Sequence, residues 1–437
     1  MRLLCISHGY AEDRAALKVL EALRHLPQAP ELFALPLVGS GQGYLNAGIP
    51  VIGLAQDLEP ARRTYAKGDD RGQALGQGFR SLPGLLAQFQ AVRQWAKTGQ
   101  GILAVGGWFP LMLAWASGLP YSVVDTTKSD YCFRDEAGNL SKRPGGARLA
   151  TWAKSVYLPW ERWLLSRPRC RGVFVRDALT EAGLKRWPIP VMHLGNPVMD
   201  GLQPTSKGSL VPMAALPEEK QLLTGVLLPG ERSPEVQQNW NRILDAIQGL
   251  MRGKTERVRL LAAIASDLNL TPFREALLKR GWHLHPSNLP IPDSTGMVMA
   301  TVHQVATYPT YTYGKATLAL VQNAFPDCLH QADFAISMAS TATEQFVGLG
   351  KPAITLVGDG PLFTLPFAQA QARLLGPSVI LVKQPEEVGP AMRSLLQDPD
   401  HLQMISDNGK RRLGPPGATY RIAQALMEKM GWAEALT

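Results

Sequence analysis

The 437-residue sequence repeats one rhythm twice: a short uncharged run of aliphatic residues, a turn, then a longer stretch with apolar residues at helical spacing. That alternation builds parallel sheets covered by helices, because two parallel strands need a crossover and a helix usually supplies it. In the first half the predicted strands are Leu3 to Ser7, Leu32 to Val38, Val51-Ile52-Gly53, Ile102 to Val105, Tyr121 to Val124, Val173-Phe174-Val175 and Val191 to Leu194. Ala15, Leu17, Val19, Leu20 and Leu23 make the first helical stripe, with Asp13 placed to cap it. Leu82, Leu85, Leu86, Phe89, Val92 and Trp95 make another. The second half restarts with strands at Leu222 to Leu228, Val258 to Ile264, Phe334 to Met338 and Ala353 to Val357, and helices at Val236 to Leu250 and Arg421 to Met430. Between the halves, Gly195-Asn196-Pro197-Val198-Met199-Asp200 leads into a Pro-, Ser- and Gly-rich linker reaching residue 217. The division expected is 1–200, a first α/β domain; 201–415, a second α/β domain; and 416–437, a helix packing back on the first. The cleft between two such domains is the default ligand site.

Composition narrows the class of partner. The formal net charge of +9 favours an anionic partner, whether phosphate-bearing substrate, acidic membrane face or nucleic acid. Cys5, Cys132, Cys170 and Cys328 are far apart and form no CxxC pair, which fits a reducing compartment and gives no zinc motif. Residues 101–124 carry no charge and are long enough to span a bilayer, but Gly106-Gly107, Pro110, Gly118 and Pro120 break them. They read as strand, loop, a short helix from Leu111 to Ser117, and strand. Residues 141–171 interleave Lys142, Arg143, Arg148, Lys154, Arg162, Arg167, Arg169 and Arg171 with Trp152, Tyr157, Trp160 and Trp163. Such a segment either lies on an anionic membrane or is a solvated basic helix with its tryptophans turned inward.

Three places carry candidate chemistry. Leu227-Leu228-Pro229-Gly230-Glu231-Arg232-Ser233-Pro234-Glu235 runs from a buried strand through a glycine turn into a helix that Ser233 is expected to cap. The bare amides and dipole of a helix N-terminus favour phosphate, and Arg232 adds a matching charge. Ser337-Met338-Ala339-Ser340-Thr341-Ala342-Thr343-Glu344-Gln345 repeats the arrangement with small and hydroxyl-bearing residues, and Gly348-Leu349-Gly350-Lys351-Pro352 closes its helix. Glu344 or Gln345 is a candidate for ribose hydroxyls, although Thr341 with Glu344 also spells a capping box. In the first half, His8, Glu12 and Asp13 follow the opening strand, and Asp125, Lys128, Ser129 and Asp130 follow another. His8, Asp13, Asp125 and Asp130 are candidate bases for an acceptor hydroxyl, and Lys128 with Ser129 a candidate anchor for an anionic acceptor. No Walker loop, HExxH or GxSxG motif is present, Gly39-Ser40-Gly41-Gln42-Gly43 reads as a turn, and Asp69-Asp70 is no metal site.

These residues resemble lipid-A-disaccharide synthase and, more closely, the lipid-A-disaccharide synthase-related proteins. The strongest points are Leu227 to Arg232 with Glu235-Val236, and Met338 through Pro352 around Thr341-Ala342-Thr343-Glu344-Gln345. Weaker echoes are Leu194 to Asp200 and Asp13. The resemblance implies a GT-B fold, with two Rossmann-like domains facing a cleft and a C-terminal helix crossing back. It also implies an inverting, metal-independent transfer from a UDP-sugar, with no cofactor. By that analogy Arg232 holds the donor's phosphates and the segment Thr341, Ala342, Thr343, Glu344, Gln345 its ribose and phosphate. Gly230, Ser233 and Ser340, in the same two turns, are candidates beside them, which makes 201–415 the nucleotide-sugar-binding domain and 1–200 the acceptor-binding one. Three departures stand out. Ungapped alignment from Pro352 puts the family's ribose glutamate on Gln345, about 100° around the helix from Glu344. Gly106-Gly107-Trp108-Phe109-Pro110 replaces an aspartate-rich turn that supplies an essential acid. Gln369-Ala370-Gln371 stands for a Gln-x-x-Asn-Ala run, leaving Gln369 and Gln371 as candidate sugar ligands.

The combined reading is a cytoplasmic glycosyltransferase, peripheral on the inner membrane face, that moves an N-acetylglucosamine-type or acylated glucosamine unit to a lipid acceptor. The segments 82–97 and 142–171 would hold it on an acidic leaflet. No nucleic acid is expected. A non-hydrolysing UDP-sugar epimerase and a non-catalytic membrane or nucleic-acid binding scaffold are the alternatives. Oligomeric state is not legible.

Overall fold

A computed structural model describes residues 1–53, 82–139, 155–205, 223–251, 258–285, 308–360 and 363–433. The chain divides into two compact units, residues 1–200 with 412–437, and residues 201–411. The linker residues 206–217, Asp69-Asp70 and the basic segment from Lys142 to Lys154 lie outside the described residues.

The first unit holds a parallel sheet of β1 (Arg2–Ser7), β2 (Glu31–Pro36), β3 (Gly101–Val105), β4 (Tyr121–Asp125), β7 (Cys170–Val175) and β8 (Val191–Met192). A separate two-stranded ribbon pairs β5 (Arg134–Asp135) with β6 (Gly138–Asn139). The main sheet has the order β2-β1-β3-β4-β7-β8. Both faces are covered. Leu4, Ile6, Ile102, Ala104, Tyr121 and Val123 pack into one apolar cluster, and Leu3, Cys5, Leu103, Val105 and Val124 into another. This is the strand period of two, with both sets buried, and it explains why the strands read as unbroken apolar runs.

Residues 101–124 form β3, the helix Trp108–Ala116 and β4. The helix starts three residues earlier than Leu111, with Pro110 in its first turn, where a missing N–H costs little. No helix among the described residues is long and apolar enough to cross a membrane. Val51 makes a single parallel bridge to Ala34 rather than a third strand. The helix Leu82–Trp95 corrects another expectation. Its Phe89, Val92 and Trp95 pack into the first unit's core, so that part of the stripe is covered by protein, while Leu86 is exposed.

The last helix, Ala418–Lys429, belongs to the first unit. Its Ile422, Ala423, Leu426 and Met427 share a core with Ala16, Val19, Leu20 and Leu23 of the helix Tyr10–Arg24. Asp200 fixes its start. One carboxylate oxygen accepts from the Gly417 and Ala418 amides, the other from Thr419 N at 2.7 Å. Arg421 ties it further, donating to Leu194 O at 2.9 Å.

The second unit holds β9 (Leu223–Leu228), β10 (Val258–Ala263), β11 (His283–Leu284), β12 (Thr310–Tyr313), β13 (Ala316–Val321), β14 (Phe334–Ser337), β15 (Ala353–Leu356) and β16 (Val379–Val382). Their order is β11-β12-β13-β10-β9-β14-β15-β16. The six strands from β13 to β16 in that order are parallel, and β11 and β12 add an antiparallel edge. The helix Glu235–Met251 buries Val236, Trp240, Ile243, Leu244, Ile247 and Leu250, one stripe at helical spacing.

Asp200→Ala removes the acceptor for three helix-opening amides. It is expected to lower unfolding stability by about 1–2 kcal/mol in a denaturant titration. Asp245→Ala, which breaks the half-exposed pair with Arg280, is expected to cost under about 1 kcal/mol.

Candidate functional site

In the second sheet the chain goes from β9 to β10 on one side, then crosses to β14 on the other side of β9. The connections leaving β9 and β14 therefore part to opposite faces of the sheet. Open α/β sheets bind ligands beyond the carboxyl ends of strands at such a reversal. The two turns singled out in the sequence, 229–235 and 338–345, are the ones that follow β9 and β14.

Gly230 has φ of 105°, a conformation that only glycine adopts without strain. Arg232 and Ser233 are exposed, and Arg232 O accepts the Val236 N–H at 2.9 Å as the helix begins. Ser233 does not act as the expected cap: its hydroxyl accepts from Gln237 Nε2 at 2.9 Å, and the helix opens at Glu235. The other helix is Thr341–Gly348, with Ser340 at the N-cap position and no capping side-chain hydrogen bond. The Thr341–Glu344 capping box is thus absent, because Thr341 is already inside the helix. Ser340, Thr341, Ala342 and Gln345 are half-buried, whereas Thr343 and Glu344 are buried. Of the two ribose candidates, Gln345 is the more accessible. Thr343 is corrected to a structural role: its hydroxyl donates to Ala339 O at 2.6 Å and meets Ser337 Oγ at 2.6 Å.

Gln369 is exposed, but Gln371 is fully buried and donates to Ala339 O at 3.1 Å and Ser340 O at 3.0 Å. Its donor group is committed to the main chain, which removes Gln371 as a sugar ligand. A third connection, after β15, joins the same edge. Glu235 Oε1 accepts from Phe363 N at 2.6 Å, and Gly360 packs on the Glu235 side chain. Lys351 caps a neighbouring helix, donating to Leu329 O, His330 O and Ala332 O at 2.9, 2.7 and 2.6 Å.

The first sheet reverses between β1 and β3, so its crevice is flanked by the turns after Ser7 and Val105. His8 lies there, edge-on to Phe109 with ring centroids 6.2 Å apart. Glu12 is buried between the two turns. A Cβ on Gly106 would lie 3.0 Å from its Cγ, and one on Gly9 would collide with its carboxylate. Asp13 is not the helix cap, since the helix starts at Tyr10; it lies one turn in and donates its N–H to Gly9 O at 2.8 Å. Tyr44, which no sequence pattern singles out, donates to Ser7 Oγ at 2.7 Å and lies 3.5 Å from Asp13 Oδ1. Burial, against hydrogen bonding from Ser7 and with repulsion from Glu12, pushes the Asp13 carboxyl up from 3.8 to about 6. A base poised there is matched to neutral pH.

The turn after β4 is a correction. Asp125 Oδ1 accepts from Thr127 N, Thr127 Oγ1 and Lys128 N, and its Oδ2 from Tyr157 Oη at 3.0 Å. Asp130 is buried against Arg134 and accepts from Val156 N at 3.0 Å; burial raises its pKa. Ser129 is buried, its hydroxyl accepting from Tyr131 N at 3.1 Å. Lys128 is paired with the buried Glu161 and stacks on Tyr157, 5.1 Å from the ring centre. These groups are saturated by one another. Asp125 and Asp130 are thereby removed as bases, and Lys128 and Ser129 as acceptor anchors. Among the described residues no group of three or more His, Cys, Asp or Glu is arranged to hold a metal ion.

Several solved structures share this architecture. A putative UDP-N-acetylglucosamine 2-epimerase from Listeria monocytogenes gives a TM-score of 0.54 at 13% identity, over 99% of this chain and 97% of that one. MurG from Acinetobacter baumannii gives 0.54 at 11% identity, over 98% and 100%. The UDP-GlcNAc 2-epimerase from Neisseria meningitidis, solved bound to UDP-GlcNAc, gives 0.52 at 13% identity, over 98% and 100%. The fold is GT-B. No family model and no curated protein matches the chain, so the resemblance to lipid-A-disaccharide synthases finds no support there.

The Asp13 shift has a sign. The folded-state pKa of about 6 exceeds the unfolded value of 3.8, so the carboxylate's burial costs nothing below pH 4 and its full amount above pH 6. Asp13→Asn is expected to match the wild type at pH 4 and to be more stable at pH 7 by about 3 kcal/mol. Thermal melts across that range check it; a pH-independent difference would count against a raised pKa.

Proposed function

We propose that the protein is a glycosyltransferase that takes a sugar from a UDP-sugar and passes it to a hydroxyl of a lipid acceptor at the cytoplasmic face of a membrane. The observation that carries this is the second unit's strand reversal, with Gly230 and Arg232 on one side and the start of the helix Thr341–Gly348 on the other. Main-chain amides at helix starts and a nearby guanidinium suit a diphosphate, and they also stabilise the charge that develops on it as the sugar departs. The GT-B neighbours include proteins solved with UDP or a UDP-sugar, which supports a uridine nucleotide as donor. The sugar is of the N-acetylglucosamine or acylated-glucosamine type.

The reaction proposed is a single inverting displacement. The acceptor oxygen bonds to the anomeric carbon, the bond from that carbon to the phosphate oxygen breaks, and UDP leaves with the electron pair. The acceptor proton goes to Asp13, and His8 lines the same turn. Arg232 and the helix-opening amides take up the leaving charge, so no cofactor or metal is assigned a step. Trp160 and Trp163, 41% and 48% exposed, support an acidic membrane surface as partner. Arg167 stacks on Trp163 at 4.3 Å, and interfacial aromatics beside cations suit a headgroup layer.

The second reading is a non-hydrolysing UDP-sugar epimerase, favoured by the epimerases among the structural neighbours. Incubation with UDP-sugars and a total lipid extract separates the two. A lipid gaining one hexosamine unit with release of UDP is the expected result. An epimeric UDP-sugar formed without lipid establishes the alternative. Absence of UDP binding leaves a non-catalytic scaffold. In the transferase, kcat/KM is expected to rise with pH through about 6, and Asp13→Asn to abolish that limb and lower the rate by about 10²–10⁴.

The membrane partner has its own test. Vesicles of phosphatidylglycerol are expected to retain the protein at low salt, and vesicles of phosphatidylcholine to release it. Replacing Trp160 and Trp163 by Ala should weaken retention at least about tenfold. Retention that ignores both lipid charge and the tryptophans would sink this part of the reading.

A further inference from the structure

Asn239 lies on the buried stripe of the helix Glu235–Met251, among Val236, Trp240 and Ile243, where an aliphatic side chain is the ordinary occupant. Its Nδ2 donates to Pro229 O at 3.0 Å and to Met338 O at 3.4 Å. One amide thus spans the two turns on either side of the strand reversal. Gln371 does the same within one turn, through Ala339 O and Ser340 O. In both residues the side-chain oxygen is buried with no protein partner. The residues are therefore held for their donors, since burying an unmet acceptor is costly and an apolar residue would fill the space without it.

We propose that Asn239 and Gln371 are positioning residues for the nucleotide's diphosphate, shaping the two turns that hold it without touching it. The inference rests on the nucleotide-sugar reading above. The physical link is the trans peptide, in which the C=O of one residue and the N–H of the next point in opposite directions. Pinning the carbonyls of Pro229, Ala339 and Ser340 towards the two amides turns the N–H groups of Gly230, Ser340 and Thr341 the other way. Those are the amides at the turn after β9 and at the opening of the helix Thr341–Gly348, where the dipole is positive. Thr343 reinforces the arrangement with its own donation to Ala339 O. A cradle of this kind works only if its amides are fixed before the ligand arrives, because reorganising them would consume binding energy.

The test replaces the donor while keeping shape: Asn239→Asp and Gln371→Glu, each in the full chain. Binding of UDP and of uridine is measured by titration for the wild type and both variants, with circular dichroism and thermal melts as controls. Either variant is expected to lose at least tenfold in UDP affinity while uridine affinity changes less than twofold, because uridine carries no phosphate. Equal losses for both ligands would mean a general structural role and overturn the proposal. Unchanged UDP affinity would overturn it too, as would failure of both variants to fold. If Asn239→Asp alone does not fold, Gln371→Glu, which touches one turn only, decides. A wild type that binds no UDP removes the nucleotide reading itself, an outcome distinct from the others.

Discussion

Parallel strands force the chain to return along the same side of the sheet, and where the order of strands reverses, neighbouring connections must diverge. That single geometric necessity makes a crevice in each unit, between β1 and β3 in the first and between β9 and β14 in the second. Everything else at those edges is an answer to it. Glycines at residues 9, 106 and 230 take positive φ so that the main chain can turn sharply away from the strand end. Buried side chains, Glu12 in one crevice and Asn239 in the other, fill the wedge and tie the diverging turns.

The two crevices differ in chemistry. The second is lined by main chain and small residues, with one exposed guanidinium, and its buried amides are spent on carbonyls. Such a lining is the kind that suits an anion, which is why the proposed donor is placed there. The first is lined by ionisable side chains, and burial rather than a partner sets the state of Asp13. Along the same edge, beyond β4, charges of both signs are present in numbers, yet they neutralise each other. Asp130 with Arg134 and Lys128 with Glu161 form a buried lattice with Tyr157 and Asp125 that holds the turn in shape. Charge in a sequence near a strand end is therefore ambiguous until its partners are known.

That ambiguity marks what was legible. Strand positions were readable to within a residue or so at β1, β4, β9 and β15, because strands buried on both faces are unbroken apolar runs. β12 and its hairpin with β13 were not, since Thr310-Tyr311-Thr312-Tyr313 is short and half polar and its burial comes from its neighbours. The two turns after β9 and β14 stood out because glycine and small hydroxyl residues follow a strand directly. Asn239 and Gln371 were hidden for the opposite reason. A lone amide on an apolar stripe looks like an imperfection in a helix, and only the carbonyls across from it, up to 99 residues away, give it a purpose. Asp125 and Asp130 misled because the residues that satisfy them, Tyr157, Val156 and Arg134, are distant in sequence or sit just past the turn.

The embrace of the first unit by the chain's last helix has a temporal side. Asp200 and Gly417 are 217 residues apart, and a ribosome adds residues at about 5–20 per second. For on the order of 10–40 s, then, the flank formed by Ala16, Leu20, Leu23 and Phe174 exists without the Ile422–Met427 surface that later covers it. During that interval the nascent first unit presents an oily strip to its surroundings. Its completion waits on synthesis of the whole second unit, so the two cannot mature as independent beads on a string.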